Sequence, residues 1–158
     1  MNPHILSNRQ RIDTLFKKVS SISDPADKSE WSKYLCILGS GYIEESLRIL
    51  LETYCANHTS SPCIKQFICK EIKGMTNCHT QRIISILSKF NVDWGNKFTI
   101  EIEAESSQGE KIKNCIDSIV NNRNIIAHGK STGISYSTVS DHYKSVKKAV
   151  EVLENIIR

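Results

Sequence analysis

Residues 112–129 read Ile112-Lys113-Asn114-Cys115-Ile116-Asp117-Ser118-Ile119-Val120-Asn121-Asn122-Arg123-Asn124-Ile125-Ile126-Ala127-His128-Gly129. Ile112, Cys115, Ile116, Ile119, Val120 and Ile126 follow the spacing of a helix with one buried face. The stripe next calls for an apolar residue at 123, and an arginine stands there. Arginine stays charged in proteins and is costly to bury unless an anion meets it. Asn121, Asn122 and Asn124 surround it, and asparagine prefers caps and turns to helix interiors. Local preference and helical pattern conflict here, which is where a functional site is expected.

The same spacing extends outward in both directions. Beyond Gly129 and Gly133, a last helix carries Val139, Tyr143, Val146, Val150, Leu153 and Ile157 in steps of four and three. Upstream, Ile5, Ile12, Leu15, Phe16 and Val19 predict a first helix, broken at Ser23-Asp24-Pro25 because proline disfavours helix in the residue before it. A second helix is expected from near Glu30 to about Tyr54. Its apolar residues, among them Trp31, Tyr34, Leu35, Leu38, Tyr42, Leu47 and Leu50, occupy more than one face, which predicts the central, most buried helix. Gly39 and Gly41 cost helix propensity there and imply a close neighbouring backbone. Ser61-Pro62 reads as a capping serine and a first-turn proline, opening a helix that ends at Gly74. Thr80 to Phe90 predicts another. Residues 91–108 read as an irregular connection, and the alternation from Thr99 to Ala104 admits a short extended piece. The expected architecture is all-α, a compact bundle of five to six helices in a single domain over residues 1–158.

Composition agrees. Hydrophobic residues make up 39% and charged residues 24% of the 158, typical of a soluble globular chain. Seven glycines and three prolines are too few for a turn-rich β-sandwich. The net charge of +4, from 21 basic and 17 acidic residues, suits a polyanionic partner without reaching the footprint of a DNA-coating protein. No stretch is long and apolar enough to span a membrane, and Met1 to Ile12 lacks the features of a signal peptide, so a cytoplasmic protein is expected. The six cysteines form no Cys-x-x-Cys pair and read as reduced, mostly buried thiols. Cys55, His58, Cys63, Cys69, Cys78 and His79 match no zinc pattern, so no metal and no cofactor is expected. His4, His58, His79 and His142 stand on polar segments and read as surface residues. A Cys-His hydrolase would need a recognisable nucleophile motif, and none is present. A nucleotide-binding glycine loop is excluded because Gly39-Ser40-Gly41 lacks both a third glycine and a preceding strand.

The polar cluster has a defined geometry on a helix. Asn124 and His128, four apart, lie within about 40° of each other, whereas Arg123 and His128 are about 140° apart around the axis. They converge if the arginine bends around, or if a second copy related by a twofold axis makes a shared groove. Gly129 suits a C-terminal cap and places His128 at the negative end of the helix dipole, which favours a protonated ring. Arginine, asparagine and histidine together suit phosphodiester chemistry: arginine neutralises the phosphate, histidine moves a proton and asparagine orients either group. The plainer reading stays open, with Arg123 paired to Glu44 or Glu45 in a structural salt bridge and His128 acting only as a cap.

Arg-Asn-Ile-Ile-Ala-His-Gly at 123–129, with Tyr42-Ile43-Glu44-Glu45 upstream and a helix after Gly133, resembles the Arg-x4-6-His signature of the HEPN superfamily. It is most similar to the RiboL-PSP-HEPN group, over about residues 30–157. The resemblance implies a helical bundle that dimerises and builds its site at the dimer interface. It further implies a metal-independent endoribonuclease of toxin or antiviral-defence type. Arg123 and His128 would be catalytic, with Asn124 assisting and Glu44, or in its place Glu45, supplying the acidic residue from an earlier helix. Attack by the RNA 2′-hydroxyl would leave a 2′,3′-cyclic phosphate. Some members carry a tyrosine two residues after the histidine as a modification site. Lys130 stands there in this sequence, and it reads either as an RNA-backbone contact or as a solvated lysine. RNA, a second copy of the chain and an antitoxin or defence-system protein are the implied partners. The alternative is a non-catalytic helical nucleotide-binding, RNA-binding or adaptor module, since one fold serves many functions.

Overall fold

A computed structural model describes residues 2–104 and 109–157. Among these residues there are seven α-helices: α1 (Pro3–Ser20), α2 (Pro25–His58), α3 (Pro62–Lys73), α4 (Thr80–Phe90), α5 (Val92–Ile102), α6 (Ile112–Ala127) and α7 (Tyr136–Ile156). The long α2 is the spine, packed against α1, α3, α6 and α7. Helices α4 and α5 form a pair that touches α6 and α7, and α6 lies along α7.

Most helix starts follow from their caps. Asp24 accepts from the backbone N–H groups of Ala26 and Asp27 at 2.8 and 3.0 Å, so α2 begins at Pro25, five residues before the periodicity suggested. Pro25 both ends the turn after α1 and opens α2, because its missing N–H costs nothing in a first turn. Ser61 occupies the N-cap of α3 but makes no side-chain cap hydrogen bond. The start of α4 is capped from a distance: Asp117 of α6 accepts from the Thr80 N–H at 2.8 Å and its hydroxyl at 2.9 Å.

Helix α5 overturns the irregular connection expected over 91–108 and brings the count among the described residues to seven helices, not the five to six expected. One residue, Asn91, separates it from α4, ending α4 and accepting from the Asp93 N–H at 2.9 Å as the cap of α5. The extended piece expected at Thr99–Ala104 falls in the last turns of this helix and the turn after it. The part of that expectation falling on residues 105–108 lies outside the described residues.

The α7 stripe is buried as expected, and so is the α6 stripe up to Val120. Gly39 does not meet the close neighbouring backbone expected there: a Cβ would lie 3.4 Å from Ile119 Cδ1 and 3.6 Å from Tyr143 Cδ2, ordinary contacts with side chains. Gly41 has nothing within 4 Å. Trp31 and Tyr34, expected in the core, are exposed together with Ile37. Four cysteines are buried and Cys69 is half-buried, while Cys63 is exposed; none of the six forms a disulfide. His142 is a correction, because it is buried against α6 rather than on the surface.

Candidate active site at the end of α6

Helix α6 ends in a Schellman turn. The N–H of Lys130 bonds Ile125 O at 3.1 Å and the N–H of Gly129 bonds Ile126 O at 2.9 Å. Gly129 has φ +69°, which glycine adopts without strain. The turn leaves His128, Gly129 and Lys130 exposed. Thr132 donates to Asn122 Oδ1, and Asn122 Nδ2 bonds Ser118 O at 2.8 Å, so the chain leaving the turn is tied back to α6.

Arg123 is half-buried one turn earlier, where α6 meets the connection between α3 and α4. Its Nη1 donates to Asn77 Oδ1 at 2.9 Å and to Asn124 Oδ1 at 3.0 Å. Asn77 is the residue that the sequence reading missed. It holds a left-handed backbone at φ 54°, a conformation asparagine tolerates better than most side chains. Its backbone also favours the charged form of Glu44, so one loop residue lies beside both the arginine and the acid. The only trace in the sequence was Asn77 between two helices, a common turn residue with nothing to mark a long-range partner.

Glu44, on α2, is half-buried. Burial pushes its carboxyl above the ordinary value of 4.5, against the opposing pull of the Arg123 charge and the Asn77 backbone, with a small push from Glu45. Such a displaced carboxyl is typical of functional sites. Glu45 stands apart. It pairs with Arg48, which holds its pKa down, and it lines a groove of about 510 Å³ with Asn2, Arg48 and Glu52. The structure therefore brings Arg123, Asn124, Asn77 and Glu44 together. Among the described residues, the network does not extend to His128 or Lys130.

Two effects are expected here. The folded Glu44 carboxyl keeps its proton to higher pH than the unfolded one, so stability present below pH 4.5 is lost as pH rises through the raised value. Glu44→Gln stays neutral and is expected to melt above the parent at pH 7, with the gap closing by about pH 4, as read by calorimetry. A gap that does not change with pH would refute the assignment. At the loop, Asn77→Gly keeps the backbone and its N–H, whereas Asn77→Ala is forced into the left-handed region. Urea midpoints are expected to place the alanine variant about 1 kcal/mol below the glycine variant.

The described residues are helical apart from their turns and connections, with Arg123 in the last turns of α6 and His128 at its cap, an arrangement consistent with the HEPN class. The family model for RiboL-PSP-HEPN matches residues 4–158, and the chain belongs to that family. The match takes in α1, which the sequence resemblance had left out. No curated protein and no solved structure matches the chain significantly. No helix among the described residues is long and apolar enough to cross a membrane.

Proposed function

We propose that the protein is a metal-independent endoribonuclease acting as a homodimer, of the toxin or antiviral-defence type, and that it is one domain. The observation carrying this reading is Arg123, held in position by Asn77 and Asn124 near a half-buried Glu44, one turn before an exposed His128. Arg123 neutralises the scissile phosphate and gains strength as negative charge builds on it. His128 moves a proton at the sugar hydroxyl or at the leaving oxygen. Asn124 and Glu44 set the arginine's direction. In this reading the exposed Lys130, just past the cap, contacts the RNA backbone.

A second copy accounts for features that one chain leaves without a role. Tyr34, Ile37, Gly41 and Glu44 fall within about 80° of one face of α2. Tyr34 and Ile37 are exposed, and Gly41 is open to a close approach. This apolar face runs straight into the acid beside Arg123, so a partner docked on it brings its own α6 turn to the same groove.

Purified protein is expected to cut RNA in excess chelator, leaving 2′,3′-cyclic phosphate ends, and to sediment as a dimer. Ile37→Glu is expected to give a folded monomer that has lost cleavage. RNA bound but uncut by the dimer would favour the non-catalytic module instead.

A further inference from the structure

Far from Arg123, three metal-type ligands converge where the chain enters α6. Glu110 precedes the helix, Cys115 lies in its first turn and His142 comes across from α7. Glu110 Oε2 is 3.2 Å from His142 Nε2 and 3.7 Å from Cys115 Sγ, and all three donor atoms lie within 4.8 Å of one another. Among the described residues this is the one such group. Its residues were not in the cysteine–histidine set weighed from the sequence, which lies mostly on α2, α3 and the loop before α4.

We propose that Glu110, Cys115 and His142 form a zinc site that pins the entry of α6 to α7. Both separations from Glu110 fit. A tetrahedral zinc ion with ordinary bond lengths sets an imidazole nitrogen and a carboxylate oxygen roughly 3.4 Å apart, and a sulfur and an oxygen roughly 3.6 Å apart. Thiolate, imidazole and carboxylate together select zinc over magnesium or calcium, which take oxygen ligands. Charge balances as well: a divalent cation with one thiolate, one carboxylate and a neutral imidazole has no net charge, the cheapest arrangement for a mostly buried site. Cys115 and His142 are buried while the Glu110 side chain is 43% exposed, so the fourth position opens to solvent on the Glu110 side. His142 Nδ1 is buried without a hydrogen-bond partner, so no outer bond reinforces the ring and the affinity is moderate. The ion sits about 20 Å along α6 from His128, so its role is to staple two helices and it takes no part in RNA cleavage. The inference does not depend on the ribonuclease reading.

Cobalt(II), a coloured stand-in for zinc, tests the site on the full chain. One equivalent is expected to bind with a sulfur-to-metal charge-transfer band, which zinc then bleaches. Cys115→Ser is expected to abolish the band, whereas Cys63→Ser, at the exposed thiol, leaves it intact. Glu110→Gln alters only a half-exposed side chain, and with His142→Gln is expected to weaken binding at least about tenfold. Folding of each variant is checked by circular dichroism. A folded parent without the band, a band that survives Cys115→Ser, or unchanged affinity in Glu110→Gln would overturn the assignment.

Discussion

His128→Ala and Arg123→Ala are each expected to cut RNA cleavage by about 10²–10⁴-fold while leaving the fold in place. The size follows from what each side chain does in the proposed step. A positioned proton donor or acceptor is worth that range, and so is a fixed cation facing charge that grows in the transition state. The fold should survive because His128 is exposed at the helix cap and the partners of Arg123 are a surface loop residue and its own neighbour, Asn124. Stability changes within about 0.5 kcal/mol are expected for His128→Ala. Arg123→Lys keeps the charge but loses the planar fork that reaches Asn77 and Asn124, so it should recover only part of the loss. The double variant should be no worse than either single one, since the two groups act on one bond. The measurement is single-turnover cleavage of a labelled RNA in chelator, alongside a melting curve for each variant. Cleavage at the parental rate in His128→Ala would remove the histidine from the mechanism. Binding lost in Arg123→Ala with no cleavage in the parent would point to the recognition module instead.

The sequence displayed half of this site and concealed the other half for a physical reason. Arg123 announced itself by interrupting an apolar stripe, because a charge inside a buried pattern has few explanations. The cap at Gly129 was legible because a left-handed residue after a helix is nearly always glycine. Glu44 and Glu45 were indistinguishable by composition. What separates them is that adjacent helix positions differ by about 100° around the axis, and only the packing of α2 decides which one meets α6. Asn77 reaches Arg123 across 46 positions of chain, and no local pattern encodes that distance. The Glu110–Cys115–His142 group was hidden in the same way, since each member sits in a segment that is ordinary by itself.

Phe98→Ala is expected to destabilise the protein by about 3–5 kcal/mol, the usual cost of emptying a large buried aromatic site. Phe98 is fully buried in α5, on a face shared with Trp94 and Ile102, both nearly buried. Those three residues recur every four positions, a helical signal, yet two features obscured it. Ile100 and Ile102 alternate with polar residues as a strand would, and Gly95 lowers helix propensity by about 1 kcal/mol. The glycine belongs there because α4 is too close for a side chain: a Cβ would fall 2.0 Å from Ser88 Oγ and 3.3 Å from Ile84 O. Tertiary packing thus selects the residue that local preference counts against a helix. Ile100 tells the two readings apart. In a strand it shares a face with Ile102, and the two alanine variants would cost alike. In α5, Ile100 is 71% exposed and Ile102 is buried. Ile102→Ala is therefore expected to cost about 2–5 kcal/mol and Ile100→Ala under about 0.5. Urea unfolding at one fixed protein concentration measures all three, since dimerisation would otherwise add its own contribution. Equal costs at 100 and 102 would mean that this segment does not pack as a helix against α4 and α7.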